Sequence, residues 1–313
     1  MSRIAYVNGR YVPHRQARVH IEDRGYQFSD GIYEVIAVEG GQFVDEDWHW
    51  DRWDRSLREL RIAQPMGRAA LKVIAREVLR RNEVRDGIVY MQATRGVAPR
   101  DHAFPKRAET ALVMTARRKK PAADALAKRG AKVVTIPDIR WTRCDIKAVA
   151  LLPNVLGKQA AAEKGAFEAW QVDDAGHVTE GTSTNAWIVT ASGELVTRGA
   201  TNDILNGVTR LAVMEIARDH QLRVVERAFT VAEAKSAKEA FLTSTTSAVM
   251  PVVEIDGTAV GDGKPGAISA SLRARYAKRA NGALWRTACR VRARCSSIGT
   301  TRSPTIGAPS ARR

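Results

Sequence analysis

RWTRCDIK, residues 140–147, ends on Lys147 and is the most informative stretch of the sequence. We expect it to deliver this lysine at the end of a β-strand. Further along, TEGTSTN at residues 179–185 carries a lone carboxylate, Glu180, among glycine and hydroxyl residues that are typical of a turn. The two stretches together predict a site that uses one amine and one carboxylate.

An amine and a carboxylate are the two groups that pyridoxal 5′-phosphate (PLP) chemistry requires from a protein. The amine forms a Schiff base with the cofactor, and the carboxylate keeps the pyridine nitrogen protonated. Lys147 and Glu180 therefore predict a PLP site. Taken alone, one lysine in a chain with 50 Lys and Arg residues is more typical of the surface. The rest of the chain has to support the interpretation.

The size of the chain predicts two domains. It has 313 residues, of which 44% are hydrophobic, so it can bury a sizeable core. No apolar run approaches the length of a membrane span, and residues 1–9 lack the apolar core of a signal peptide. We expect a cytoplasmic protein without a membrane partner. Three cysteines without CxxC or Cys/His ligand spacing predict neither a disulfide framework nor a metal site.

The net charge of +16 raises nucleic-acid binding as an alternative from another class. Residues 281–313 contain seven arginines and no other charged residue, so part of the surplus belongs to the C-terminal tail. A diffuse basic field on the remaining chain would attract anions such as phosphate cofactors, amino acids and keto acids. We therefore expect small-molecule substrates and no nucleic acid, and binding to DNA or RNA stays a remote alternative.

The first half of the chain predicts hairpins and amphipathic helices. Hairpins are expected at residues 4–12, around an Asn-Gly pair, and at residues 31–44, with a charged and aromatic connector at residues 22–31 between them. Apolar residues at helical spacing predict helices at residues 48–62 and 70–78. Arg52 need not join the apolar stripe of the first helix, so it either faces solvent or is aimed at an anion.

A loop after the strand expected at residues 87–95 carries Arg100 and His102, two positions apart between glycine and proline residues. Such a pair can hold a carboxylate, the arginine through its planar fork and the histidine through one ring nitrogen. Two solvated polar side chains explain the same sequence. The loop alone leaves both interpretations open.

The basic run at residues 117–123 marks the expected domain boundary. We predict a small N-terminal α/β domain over residues 1–117 and an interdomain linker over 118–130. A larger domain with a mixed sheet follows over 131–280, and a basic, mostly disordered tail over 281–313.

Hydroxyl-rich turns in the second half are candidates for a phosphate cup. Gly207, Val208 and Thr209 begin an expected helix, whose free amides and dipole favour an anion. Helix capping alone explains the same residues. The strand expected at residues 241–243 ends in STTS, residues 244–247, and Thr245 in this turn could complete the cup.

Five stretches together resemble the fold type IV, or class IV, PLP-dependent aminotransferases, and most closely their bacterial D-amino-acid-specific members. They are EDRGYQFSDGIYEV at 22–35, RDH at 100–102, RCDIK at 143–147, TEGTSTN at 179–185 and TSTTS at 243–247. The resemblance covers about residues 3–280. It implies an α+β or α/β architecture in two domains, with PLP between the small domain and the larger mixed-sheet domain, and a homodimer.

The resemblance also implies roles for individual residues. Lys147 is the Schiff-base lysine and Glu180 the partner of the pyridine nitrogen. The remaining implied contacts are the phosphate ligands Arg52, Val208, Thr209 and Thr245, and the substrate-carboxylate ligands Tyr33, Arg100 and His102. In the family this carboxylate site is completed across the dimer interface.

The implied activity is transfer of the amino group of D-alanine, or another D-amino acid, to 2-oxoglutarate, giving pyruvate or another 2-oxo acid and D-glutamate. Branched-chain L-amino-acid aminotransferases and aminodeoxychorismate lyases share the lysine and the glutamate but lack the Arg-x-His loop. They are the nearer alternatives. Thr182 and Thr184 stand where serine is common in the family, and the tail has no family counterpart.

Overall fold

Helices and strands alternate along a chain that builds two β-sheets. The structure, a computed structural model, describes residues 3–118, 122–280 and 282. The helices are α1 (Arg24–Phe28), α2 (Glu46–Glu59), α3 (Arg68–Arg81), α4 (Ala122–Arg129), α5 (Leu152–Glu163), α6 (Val208–Asp219), α7 (Val231–Lys235) and α8 (Ala267–Ala280). The strands are β1 (Ile4–Val7), β2 (Arg10–Pro13), β3 (Gly31–Glu39), β4 (Gln42–Phe43), β5 (Gly87–Thr94), β6 (Ala111–Arg118), β7 (Ala131–Pro137), β8 (Glu168–Val172), β9 (Val178–Gly181), β10 (Asn185–Val189), β11 (Leu195–Thr197), β12 (Val224–Glu226), β13 (Glu239–Ser244), β14 (Ala248–Ile255) and β15 (Thr258–Ala259).

The first sheet is antiparallel, with strand order β2-β1-β6-β5-β3-β4. Alternation along β3 turns Ile32, Ile36 and Val38 to one face, where the core forms. Two tryptophans of α2, Trp50 and Trp53, are fully buried in this core. Burial of each such side chain stabilises the fold by roughly 2–3 kcal/mol. The tryptophan stripe is therefore core packing, as the sequence predicts.

The second sheet mixes parallel and antiparallel pairs in the order β12-β11-β10-β13-β14-β7-β8-β9, with β15 beside β14. Strand β9, at one end of this order, also contacts β10 near the other end, so the sheet curls. Trp187 and Phe241 stack at 5.3 Å beneath α6 and α8. The expectation of a mixed sheet in the second half is confirmed.

Turn and capping residues define several element ends, including the Asn-Gly turn that the sequence predicts. Asn8 and Gly9 both have positive φ, 43° and 90°, in the turn between β1 and β2. Helix α5 is followed by Gly165 at φ 67°. Thr230 accepts a hydrogen bond from the amide of Glu233 and so caps α7.

Three local expectations are wrong. Lys147 does not end a strand but lies in an irregular segment, and Glu180 lies inside β9 rather than in the turn that follows it. The connector at residues 22–31 contains α1, which Asp23 caps by accepting from the amide of Gly25. Long-range pairing decides the first two positions, whereas a local cap begins α1.

The segment predicted as a linker, residues 118–130, contains regular structure. It begins with the last residue of β6 and includes α4, whose Ala127 packs into the core of the second sheet. The domain boundaries themselves stay a prediction. The tail predicted from residue 281 lies outside the described residues, apart from Gly282. Within the described residues, none of the helices combines the length and apolar character that a membrane crossing requires.

Candidate active site

A cleft of about 280 Å³ lies where β3 and α2 of the first sheet layer face β9 and the start of α6 in the second. Its walls include the segment around Lys147 and the turn after β13. Seven of the residues predicted from the sequence line it together: Tyr33, Arg52, Lys147, Glu180, Val208, Thr209 and Thr245. Arg100 and His102 are not among its lining residues.

Lys147 is held by backbone pairing to the start of β3. The amide of Tyr33 donates to the carbonyl of Lys147 at 3.0 Å, and the amide of Val149 donates to the carbonyl of Gly31 at 3.0 Å. The segment therefore continues the first sheet across the free edge of β3, opposite β5. Lys147 Nζ lies 4.3 Å from the centroid of the Tyr33 ring.

Glu180 faces the cleft from β9 and is 6% exposed. Its carboxylate accepts hydrogen bonds from Arg140, from Asn185 Nδ2 at 3.0 Å and from the Leu205 amide at 3.2 Å. Burial raises the pKa of Glu180 to about 7, while Arg140, the Leu205 amide and Lys147 act in the opposite direction. A carboxyl with this pKa can share a proton with a second group whose own pKa is near neutrality.

Arg140 is the residue at this end of the cleft to which the sequence assigned no role. Its guanidinium donates to Glu180 and, through Nε at 2.9 Å and Nη2 at 2.7 Å, to the carboxylate of Asp138. One buried cation thus serves two carboxylates, which limits how far it can lower the pKa of Glu180. Arg140 and Glu180 are far apart in the chain, so sequence spacing gave no signal for their pairing.

The start of α6 forms the opposite end of the cleft. Gly207 precedes the helix, and the first-turn amides that follow it have no partners within the helix. Val208 and Thr209 lie in that turn, and Thr245 lines the cleft beside it. A Cβ on Gly207 would lie 2.2 Å from Asn185 Oδ1, so the position requires glycine for close packing. These features form an anion site at a helix N-terminus.

Arg52 reaches the same end of the cleft from α2, held by a buried carboxylate. Its Nε and Nη2 donate to Glu34 at 2.9 and 2.7 Å, and its Nη1 donates to the carbonyl of Asn206 at 3.2 Å. A guanidinium has five N–H donors, so these contacts leave two for a ligand in the cleft. An anion was one possible target of Arg52 in the sequence analysis, but Glu34 was not predicted as the residue that holds its guanidinium.

Glu34 occupies a core-facing position of β3 where an apolar residue would be ordinary. Burial opposes its charge, but Arg52 and His49 more than compensate and lower the pKa of Glu34. Burial lowers the pKa of His49, so the neutral ring donates from Nδ1 to Glu34 at 3.0 Å. A glutamate that interrupts an apolar alternation was the signal that could have identified this group.

Arg100 and His102 lie on an exposed loop and are not among the residues that line the cleft. The Arg100 guanidinium is 5.1 Å from the centroid of the Phe28 ring, and the His102 ring is 5.4 Å from the same ring. Arg24 supports the loop by donating to the Asp101 carbonyl at 2.6 Å. The structure therefore separates this pair from the other predicted substrate ligand, Tyr33, within one chain.

The donor set of the cleft fits PLP. One end offers helix amides, hydroxyls and a guanidinium to a phosphate, and the other offers a buried carboxyl to a ring nitrogen. Lys147 lines the same cleft. Among the residues that the structure describes, no cluster of His, Cys, Asp and Glu could hold a metal ion.

Comparison with known proteins places this site in a family context. A family model described as amino-transferase class IV matches residues 31–255. The chain is similar to the D-alanine aminotransferase of Staphylococcus haemolyticus, with 38% identity over 273 residues that cover 87% of this chain and 96% of that protein. It is also similar to the D-alanine aminotransferase of Bacillus licheniformis, with 40% identity over 267 residues, covering 85% and 93% respectively.

Solved structures share the fold. A branched-chain amino acid aminotransferase from Thermobaculum terrenum, in its PLP form, superimposes with a TM-score of 0.77 at 24% identity and covers 90% of this chain and 94% of its own. The branched-chain amino acid aminotransferase from Escherichia coli gives a TM-score of 0.80 at 21% identity, with coverage of 89% and 94%. At this identity the likeness concerns the fold alone.

Proposed function

The chain belongs to the class IV aminotransferases, and from this premise we propose that it is a PLP-dependent D-amino-acid transaminase. It transfers the amino group of D-alanine, or a related D-amino acid, to 2-oxoglutarate. The observation that carries the proposal is the convergence of Lys147, Glu180 and the start of α6 in one cleft. The D-alanine aminotransferases at 38–40% identity support the choice of D-amino acids.

In the proposed reaction, residues at both ends of the cleft bind the cofactor. Lys147 would hold the cofactor through Nζ, and Glu180 would keep a proton on its ring nitrogen. Arg52, Thr209, Thr245 and the amide of Val208 bind its phosphate, for which the two remaining N–H donors of Arg52 are available. When bound, PLP supplies a ring that accepts the electron pair left by the breaking Cα–H bond.

Lys147 also transfers the proton that leaves the substrate Cα. Once its amine is free, Nζ can take the proton from the substrate Cα and, with PLP bound, would deliver it to the cofactor's C4′ carbon instead of returning it to Cα. Glu180, with a pKa of about 7, can share a proton with the ring nitrogen without being displaced by solvent, since it is 6% exposed. Fixing the substrate carboxylate decides which Cα face meets Nζ, and therefore the handedness of the substrate.

Tyr33, Arg100 and His102 are proposed to bind the substrate carboxylate. Because Arg100 and His102 lie outside the cleft of their own chain, we propose that a second copy supplies them in a homodimer. Exposed apolar side chains support an interface there: Trp141 and Leu152 line the cleft, and Ile139, Val155 and Leu156 are close to them in the sequence. Their exposure would be unusual on an isolated protein of this kind.

A spectral titration tests the assignment. We expect purified protein to carry a visible PLP band that borohydride fixes on Lys147, and D-alanine to bleach this band much faster than L-leucine. Lys147→Ala should remove the covalent label. Faster bleaching by L-leucine would assign the protein to the branched-chain enzymes, and release of pyruvate from aminodeoxychorismate would assign it to the lyases. The expected cytoplasmic location and lack of nucleic-acid partners stay predictions from the sequence.

A further inference from the structure

The Tyr33 ring lies directly beneath the amine of Lys147. Nζ is 4.3 Å from the ring centroid, inside the range of about 6 Å over which an ammonium is attracted to an aromatic face. In the part of the chain that the structure describes, Nζ has no hydrogen-bond or salt-bridge partner. The ring face is therefore a group in direct contact with this amine that can stabilise a positive charge on it.

The ring is fixed in place. It stacks on Tyr90 of β5 with centroids 5.8 Å apart and planes inclined by 27°. The Tyr90 hydroxyl donates to Gln92 Oε1 at 2.7 Å, and burial together with Tyr33 raises the pKa of Tyr90 to about 12, so this phenol stays neutral. The backbone amide of Tyr33 also donates to the carbonyl of Lys147 at 3.0 Å. The ring therefore cannot move away from Lys147 without breaking contacts on both sides.

Other charged groups around the cleft act on Nζ with opposite signs. Glu180 on β9 attracts an ammonium, whereas Arg52 on α2 and Arg140 in the same segment repel it. Burial raises the pKa of the Cys144 thiol to about 12, so this neighbour is neutral. Both guanidiniums are themselves paired with carboxylates, Arg52 with Glu34 and Arg140 with Asp138 and Glu180. The uncharged ring adds a favourable contact for a cation at Nζ that does not depend on the charge of any of these groups.

We propose that the ring of Tyr33 is a positioning surface that stabilises Lys147 Nζ as an ammonium over the cleft, independently of any contact that the Tyr33 hydroxyl makes with substrate. The inference rests on the proposed function, in which free Nζ takes a proton from the substrate Cα and later releases it. The ring retains that proton on Nζ between the two transfers. Apart from this proton, no atom is transferred in the proposed role of the ring.

Amine reactivity across pH in cofactor-free, full-length protein tests the role of the ring. Only the neutral amine reacts with acetic anhydride, and mass spectrometry of the resulting peptides follows Lys147 separately. Cation–π attraction of about 0.5–2 kcal/mol corresponds to a shift of about 0.4–1.5 pH units in the midpoint of modification. Tyr33→Leu should move the midpoint to lower pH by this amount, and Tyr33→Phe should leave it in place. Lys132 and Lys158, measured in the same digests, are internal controls.

A second series separates the ring's charge distribution from its shape. Phenylalanines at position 33 that carry increasing numbers of fluorine atoms keep the size of the ring while weakening its negative face. The midpoint should fall stepwise with each fluorine. The proposal is overturned if the midpoint is the same across the series, if Tyr33→Leu matches wild type, or if Tyr33→Phe shifts it as much as Tyr33→Leu does. Borohydride fixation of PLP on Lys147 tests the proposed function separately.

Discussion

At the scale of single residues, Glu180 couples the stability of the cofactor-free protein to pH. Burial raises its pKa from 4.5 to about 7 in the fold. The folded chain then binds this proton more tightly than the unfolded chain does, so the contribution of Glu180 is most favourable below the unfolded value. This stabilising contribution of Glu180 decreases as pH rises toward its folded-state pKa of about 7. The difference between the two pKa values corresponds to about 3 kcal/mol of unfolding free energy.

Glu180→Gln tests this dependence because glutamine resembles the protonated acid. Relative to wild type, the cofactor-free variant should gain about 2–3 kcal/mol in unfolding free energy between about pH 5 and about pH 8. Urea unfolding at the two pH values measures the difference, in which the titration of all other groups cancels. A constant offset between the two proteins would show that Glu180 does not titrate in this interval. The same variant should bind PLP poorly, since the partner of the ring nitrogen is gone.

Residues also differ in how far the sequence alone could identify them. Lys147 and Glu180 were visible because a lysine after RCDI and a glutamate before GTSTN are local patterns. Arg140 and Glu34 were not assigned, because their importance comes from partners that the fold brings to them. A residue whose role depends on a long-range ion pair carries no local signature of that pair.

At the scale of elements, the contact between the start of α6 and β10 links the two ends of the cleft. Asn185, the first residue of β10, donates to Glu180 at 3.0 Å and to the Leu205 carbonyl at 2.8 Å. Its Oδ1 packs against Gly207, where an added Cβ would approach to 2.2 Å. One amide side chain therefore sets the distance between the carboxyl at β9 and the anion site at α6.

Gly207→Ala should disturb both ends together. Backbone φ at this position is −66°, so the cost comes from the collision with Asn185 and not from backbone strain. We expect PLP affinity to fall about 10-fold or more, since close-packed contacts have little room to adjust. Equilibrium binding to cofactor-free protein measures this. Gly199→Ala, in the preceding loop with no atom within 4 Å of the added Cβ, should bind PLP like wild type. Equal affinities for the two variants would contradict this account of Gly207.

Element types were largely predictable, whereas their connections were not. Period-two alternation and Asn-Gly or Gly-Gly turns identified the hairpins of the first sheet, and helical spacing identified α2 and α3. The irregular segment at Lys147 was mistaken for a strand end, because its backbone pairs with β3 from a distant part of the chain. Strand β12 was missed, since its three residues gain their structure from parallel pairing with β11.

At the scale of the whole molecule, the absence of Arg100 from the cleft that contains Lys147 would give the proposed homodimer a catalytic role. The cleft of one chain contains the amine, the carboxyl and the anion site, but not the exposed Arg100 loop. If a partner provides that loop, each active site is built from two chains, and a dimer has two such sites related by symmetry. Substitutions in different chains should then complement one another.

Co-expression of Arg100→Ala and Lys147→Ala chains with different tags tests this arrangement. Each homodimer should turn over D-alanine poorly, since every site lacks either the carboxylate ligand or the amine. In a hybrid, the site with the intact Lys147 receives the intact Arg100 from its partner, whereas the other site lacks both. Random pairing should restore about a quarter of wild-type activity, because half of the dimers are hybrids with one complete site. Co-expressed Lys147→Ala and Glu180→Ala chains are the control, since both residues belong to one chain's cleft and no hybrid site is complete. Absence of restoration from the Arg100 pair would contradict the supply of Arg100 by the partner chain. Restoration in the control as well would show that the recovery does not depend on exchange of Arg100.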